Sequence, residues 1–430
     1  MANPDAFKIS APGKMSLFGE YAVSYGRSVL SCGIDLRTNL YFEKSKTDNF
    51  KLNLCNYNST VIFSYENFCY LMLFEKPSLR NGVDIDRYNW RTPELLNVEE
   101  FVSKMHEFVH KVVKTKIRNS EHELMLIVLF LLMKGILCSV DIEVQPFTIT
   151  VDSTIPSGSG TGNLTAFVVC VTAALIHYLH IRVSEEGRQN EFVSKLQYLP
   201  FKLNFSKVTG NMIGAEEKDL ISHWSRVCEV IQDNYPIGVE SAVATYGKMI
   251  QFSSSPNAIA PSVKVYTHVT MLEFLLVNTG IHTNKTNVAH KLLQFSKRHP
   301  GIIEGLCMLG QILTDAATEM IANANLSTDA FEQEQPGQFS FGELLDVHYF
   351  SYFGVGIINE TQHEVHEIIR SSGFHSTQLV SDQGGHAAVF IPPNTPKSEL
   401  QTLRDSLSHR GYSSTLTHLG APGLTITDVL

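Results

Sequence analysis

Apolar and polar residues alternate through the opening FKISAPGKMSLFGEYAVSYG around a Pro-Gly punctuation, which predicts a strand, a turn and a second element carrying Glu20. Residues 33–45 and 51–66 are rich in β-branched and aromatic side chains and predict strands, whereas 98–137 predicts helix. Inside that helical region LMLIVLFLLM, 124–133, is apolar all round until Lys134 and Gly135 interrupt it. It is too short to span a bilayer and predicts a buried core helix. VDIEVQPFTITVDSTI, 140–155, alternates well enough for two short strands. They lead into IPSGSGTGNLTAF, 155–167, and the small and apolar residues from Leu164 to about His180 predict a buried helix. WSRVCEVIQ, around 224–232, predicts a further helix closed by the turn DNYPIG.

Strand patterns at 247–252 and 270–278 then bracket the Pro/Ser-rich SSSPNAIAPS. Beyond them come helices at 285–297, 301–324 and 359–371, a polar loop at 326–339, and strands at 376–380 and 386–391. Helices and strands interleave without a strict βαβ rhythm, so the expected class is α+β. At 430 residues the chain is long for one core, and two domains are expected, 1–250 and 251–430.

Composition narrows the function classes. Hydrophobic residues make up 43% and charged residues 18%, the balance of a soluble globular protein rather than a disordered one. A net charge of −9 lacks the basic footprint of a dedicated nucleic-acid binder, so an anionic ligand would be held by local positive potential. The densest basic stretch, KVVKTKIR at 111–118, carries Val112, Val113 and Ile117 at helical spacing and is expected to be a solvated helix face. Seven cysteines, odd in number and without CxxC spacing, fit reduced core thiols of an intracellular protein. With no apolar signal region at the N-terminus and no membrane span, a cytoplasmic location is the expectation.

Four short segments carry candidate chemistry. Gly158, Gly160 and Gly162 let backbone approach an anion, and the following helix N-terminus adds positive potential. The lysine of the GxxxxGK[ST] phosphate loop is missing, since Asn163 and Leu164 stand in its place. Lys14 follows the Pro-Gly of APGK and is a candidate anion ligand. Glu229 and Glu240 are paired acids able to divide metal binding and proton abstraction between them. DQGGHAAVF, 382–390, is a second glycine turn. HEVHE at 363–367 lacks the HExxH spacing of zinc proteases, and neither a GxSxG elbow nor the VAIK, HRD and DFG marks of protein kinases occur.

In order and spacing, APGK–FGEYAV, the PxGxGxG loop at 156–162, GVESAVATYG at 238–247 and the late glycine turn resemble the GHMP small-molecule kinases, in particular their mevalonate-kinase branch. The likeness spans essentially the whole chain, including Trp224, Glu229, Pro236 and NKTNVAHKLLQFSKRHP. It implies a two-lobed fold with the nucleotide site between the lobes, and ATP- and Mg²⁺-dependent phosphorylation of the 5-hydroxyl of mevalonate in isoprenoid biosynthesis. It further implies that Lys14, Glu240 and Thr286 are catalytic and that Glu229 holds Mg²⁺. Pro156, Gly158, Ser159, Gly160, Thr161, Gly162 and Asn163 would cradle the ATP phosphates, and Glu20, Tyr21, Gly384 and Gly385 would meet the substrate. Relatives suggest a homodimer.

The chain departs from the family pattern at four places. Leu164 replaces a metal-holding serine, Glu240 an aspartate, Ser381–Asp382–Gln383 part of a glycine run, and Tyr21 a histidine. These changes keep two alternatives open: a relative that binds nucleotide or a partner with weak or no catalysis, and a kinase for another small alcohol.

Overall fold

A computed structural model describes residues 6–73, 79–80, 91–113, 117–137, 143–185, 213–231, 237–253, 261–267, 271–281, 285–324, 339–380 and 385–428. Its opening strand β1 (Ala6–Phe18) is buried along nearly all its length. The expected turn at Pro12–Gly13 is absent. The strand runs on through it with a register shift between Pro12 and Lys14 against β2 (Ser28–Lys44). Proline has no N–H for the ladder, and a bulge accommodates that without ending the strand.

β2 is the organising strand. It pairs with β1, with β5 (Phe147–Ser153) and with β6 (Met249–Ser253). β5 extends the sheet through β3 (Asn49–Leu54) to β4 (Ser59–Ser64), and β6 extends it to β7 (Ser262–Tyr266). The last strand, β12 (Thr425–Asp428), returns to pair with β1. A second group, β8 (Leu272–Asn278), β9 (His375–Val380), β10 (Gly385–Ile391) and β11 (Ser413–Leu419), is antiparallel and joins β2 through one pair, Leu419 with Ile34.

Helices cover both groups. In the first half are α1 (Tyr65–Leu73), α2 (Val98–Val112), α3 (Ser120–Leu137), α4 (Asn163–Glu185), α5 (Ala215–Glu229) and α6 (Val239–Tyr246). In the second are α7 (Lys285–Arg298), α8 (Pro300–Ala324), α9 (Phe341–Gly354), α10 (Glu360–Ser371) and α11 (Lys397–His409). This is an α+β protein of two sheet-and-helix halves. The stretch Asn163–Val183 of α4 is long and apolar enough to cross a membrane, but it is buried in the core of the first half with α3. On β8 the alternation has period two: Leu272, Phe274 and Leu276 pack with Phe341 and Leu345 of α9, while Leu275 and Val277 pack with Val365, Ile369, Leu403 and Leu407.

Several expectations are corrected here. The helix expected over 98–137 is two helices. Val113 is extended at φ −81° and ψ 107°, and Asn119 Oδ1 accepts the His122 N–H at 2.9 Å, starting α3 afresh. The basic stretch 111–118 therefore leaves α2 at Val112, and its residues 114–116 lie outside the described residues. One strand, β5, forms where two were expected, with 138–142 outside the described residues. The helix expected at 224–232 begins nine residues earlier and ends at Glu229. Residues 233–236, 254–260 and 325–338, which include most of the expected turns and loops there, lie outside the described residues. β7, α9, α11, β11 and β12 were not anticipated. Among the described residues six cysteines are free.

Candidate active site

The bulge in β1 aims the chain at the glycine loop. The Lys14 N–H donates to the Thr161 carbonyl at 2.8 Å, stitching strand to loop. Gly13 makes the approach possible, because a Cβ there would sit 2.7 Å from the Thr161 oxygen. Gly162, at φ +78°, lets the Lys14 stem lie on the loop, where a Cβ would come 3.1 Å from Lys14 Cγ. Lys14 is thereby buried, 4% exposed.

A buried ammonium needs compensation. Lys14 Nζ lies 3.0 Å from Glu240 Oε1 and 3.7 Å from Glu20 Oε1. Glu240 sits in the first turn of α6, and its second oxygen accepts a hydrogen bond from Thr165 Oγ at 3.0 Å. Thr165 lies in the first turn of α4, so the two helices begin side by side next to Lys14. Their N-termini add positive potential to that of the lysine.

Glu229, the last residue of α5, caps α6 from outside. Its Oε2 accepts the Gly238 N–H at 3.0 Å, and its Oε1 accepts the Ser241 N–H at 3.0 Å and the Ser241 hydroxyl at 2.5 Å. Burial, reinforced by the nearby charge of Glu240, pushes this carboxyl up to about 7 against the downward pull of those hydrogen bonds.

The far side of the loop is held by Glu121 in the first turn of α3. Ser157 Oγ donates to Glu121 Oε2, and Asn163 Nδ2 donates to Oε1 at 2.9 Å. Asn163 Oδ1 accepts from Ser153 Oγ at 2.9 Å, so this side chain is turned into the scaffold. Ser159 Oγ donates to the Pro156 carbonyl at 2.7 Å and meets Thr161 Oγ1. Leu164 is buried in the apolar core and presents no oxygen.

A glycine loop at a helix N-terminus beside a buried lysine and a carboxylate is suited to phosphoryl transfer to a hydroxyl. The comparisons agree. No protein-family model matches the sequence. The mevalonate kinase of Gibberella zeae is 24% identical over 432 residues, covering 99% of this chain and 78% of its own. The human mevalonate kinase is 22% identical, covering 97% and 94%. Among solved structures, L. major mevalonate kinase in complex with R-mevalonate superposes with a TM-score of 0.60 at 14% identity, covering 98% of this chain and all of that one. Lactococcus lactis galactokinase complexed with galactose gives 0.56 at 13%, covering 99% and 95%. Over nearly its whole length the chain is similar to mevalonate kinases, and it shares the fold of solved mevalonate kinase and galactokinase structures, which are GHMP kinases.

In this fold the anticipated residues fall into three groups. Lys14, Glu20, Glu240 and the loop from Pro156 to Asn163 converge, with Glu229 behind them. Tyr21 turns away, its ring 5.1 Å from that of Tyr352 and packed with Ala22, Leu292 and Ile303. Gly385 opens β10, and its carbonyl accepts the Thr279 hydroxyl, tying the late glycine turn to the end of β8. Gly384, the segment Ser381–Asp382–Gln383 and the side chain of Thr286 lie outside the described residues. The histidines of HEVHE belong to aromatic packing around Tyr349.

Sequence reasoning missed the contact of Thr165 with Glu240, and it missed Glu121. Thr165 was legible only as a hydroxyl in the first turn after a glycine loop. Glu121 carried no signal, because an acid in the first turn of a helix is ordinarily a solvated dipole partner.

Proposed function

We propose that this chain transfers the γ-phosphoryl group of ATP to the 5-hydroxyl of mevalonate, giving 5-phosphomevalonate and ADP. The observation that carries the proposal is the Lys14–Glu240–Thr165 constellation under the glycine loop. It sits in a chain whose relatives over nearly its whole length are mevalonate kinases.

The loop and the N-terminus of α4 receive the ATP phosphates. Lys14 neutralises charge that builds on the transferring group, where a fixed cation in a water-poor site acts most strongly. Glu240 takes the proton from the attacking hydroxyl as its oxygen forms the bond to the γ-phosphorus and the bond to the ADP oxygen breaks. Lys14 and Thr165 each engage one of its oxygens, which fixes the carboxylate plane before substrate arrives. Glu20, on the other side of Lys14, faces the alcohol.

The residues present fit a Mg²⁺ that arrives on the ATP phosphates and keeps several waters, as this ion prefers. Glu229, behind Glu240, would hold it. The ion would supply charge neutralisation to the transferring phosphoryl group. On the same reading the protein is a cytoplasmic homodimer serving isoprenoid biosynthesis.

A second reading, nucleotide binding with little turnover, is favoured by Leu164 and by the three hydrogen bonds already made to Glu229. ADP release with ATP, Mg²⁺ and mevalonate separates the two. Turnover in the wild type that vanishes in Glu240→Gln supports the kinase. Magnesium-dependent ATP protection against unfolding, without turnover in either the wild type or Glu240→Asp, supports the second reading.

A further inference from the structure

Away from the glycine loop, on the outer surface of the first half, two histidines and a glutamate meet across the break between α2 and α3. His106 and His110 stand one helical turn apart on α2 and share a face. Their ring centroids are 4.5 Å apart. Each Nε2 lies 3.0 Å from the same atom, Oε1 of Glu123 in the first turn of α3. All three ligand atoms fall within 4.8 Å of one another.

We propose that His106, His110 and Glu123 form a binding site for a divalent transition-metal ion, with Zn²⁺ the fitting occupant. Zinc bonds imidazole nitrogen and carboxylate oxygen at about 2.0–2.2 Å, so neighbouring ligand atoms on its tetrahedron stand roughly 3.3 Å apart. The two N···O distances of 3.0 Å need only open slightly to admit the ion at their centre. Both imidazoles are half exposed, with side-chain accessibilities of 51%, so the ion has an entry path and a water can complete its coordination. The donor set of two nitrogens and one oxygen selects Zn²⁺, Ni²⁺ or Cu²⁺ over Mg²⁺ and Ca²⁺, which prefer all-oxygen shells. The site is therefore distinct in chemistry from the magnesium of phosphoryl transfer. Without a metal the same contacts amount to a surface ion pair of little energetic weight.

Its position gives the site a structural consequence. A metal there pins α2 to the first turn of α3, the turn from which Glu121 holds Ser157 and Asn163 of the glycine loop.

The test is Zn²⁺ titration of tag-free, chelator-stripped full-length protein by calorimetry, with His106→Asn/His110→Asn and Glu123→Gln alongside. The expected result is one Zn²⁺ per chain at micromolar affinity or tighter. The double variant should bind at least tenfold more weakly, and Glu123→Gln should show a smaller loss. Unchanged circular dichroism and unchanged metal-free melting temperature in the variants assign that loss to the ligands rather than to misfolding. Zn²⁺ should also raise the melting temperature of the wild type and not of the double variant. Absence of stoichiometric binding in the wild type overturns the proposal. So does binding that survives unchanged in the double variant, which would place the ion on another histidine or on the exposed Cys55.

Discussion

Two clusters of buried polar groups, one in each half of the molecule, are compensated in opposite ways. Beside the glycine loop the cluster is charged: Lys14 faces Glu240 and Glu20, and Glu229 faces the N-terminus of α6. Around the second sheet its members are imidazoles that burial keeps neutral. His348 is pushed down to about 3, and His366 and His386 to about 4. Their partners are hydroxyls, Thr377 Oγ1 at 2.8 Å for His348 and Ser376 Oγ at 2.9 Å for His366. A neutral imidazole with one hydrogen bond costs little to bury, whereas a buried charge is tolerated only inside a network that compensates it. Beside the glycine loop buried charge is held in such a network, whereas the cluster around the second sheet is neutral.

The sharpest way to break that contrast is to neutralise the charged cluster. Glu240→Gln keeps the shape and the Thr165 contact but cannot take a proton, and its turnover should fall roughly 10³-fold, within the range of general-base loss. ATP binding, followed by thermal shift, should persist. Lys14→Met removes the compensating cation and leaves Glu240 and Glu20 facing each other. Turnover should drop about 10²–10³-fold, the scale of a lost electrostatic donor. Retained turnover in either variant would make this cluster scaffold and erase the difference between the two clusters.

The imidazoles make the complementary test in stability rather than rate. A histidine whose folded pKa lies below its unfolded value of about 6.5 binds fewer protons in the native state. Its contribution is present above pH 6.5 and is lost as the pH falls toward about 4 for His366. Glu229 pulls the other way, since its raised pKa favours the native state below the unfolded value and is lost as pH rises through about 7. Comparing wild type with His366→Gln by urea unfolding between pH 7 and 4 isolates the histidine. The variant should lose roughly 2 kcal/mol less than the wild type over that span, with activity at pH 7.5 unchanged within about twofold. An identical acid limb in the two proteins would show that His366 is not held neutral by its surroundings.

How much of this was legible depended on what each residue's signal competed with. Lys14, the glycine loop, Glu229 and Glu240 were visible because short motifs carry chemistry in their spacing. The strand through Pro12–Gly13 was hidden because that dipeptide signals a turn, and only the tertiary approach to Thr161 shows why a bulge wins. The end of α2 at Val112 escaped since Val112, Val113 and Ile117 keep helical spacing in the sequence, although Asn119 stood where a cap belongs. α9 reads FGELLDVHYFSYFG, apolar on most sides, and so lacked a stripe; its Ser340–Glu343 capping box was the signal to use. β12 could not be placed from sequence, because its partner β1 lies more than 400 residues away in the chain.

Thr165 gives the finest test of the comparison, because it is a neutral hydroxyl inside the charged cluster. If charge alone distinguishes that cluster, Thr165 should behave like Ser376 beside His366 and matter only for packing. Its hydroxyl, however, donates to the carboxylate oxygen that Lys14 leaves open, and a hydrogen bond to a charged acceptor is worth roughly 1.5–3 kcal/mol. Thr165→Ala should therefore lower kcat about tenfold while leaving the KM for ATP nearly unchanged, because the residue orients the proton acceptor rather than the nucleotide. Thr165→Ser, which keeps the hydroxyl, should recover most of the loss, whereas Thr165→Val, which keeps the shape, should not. A loss that follows side-chain shape instead of the hydroxyl would return Thr165 to the scaffold and remove it from the groups that orient Glu240.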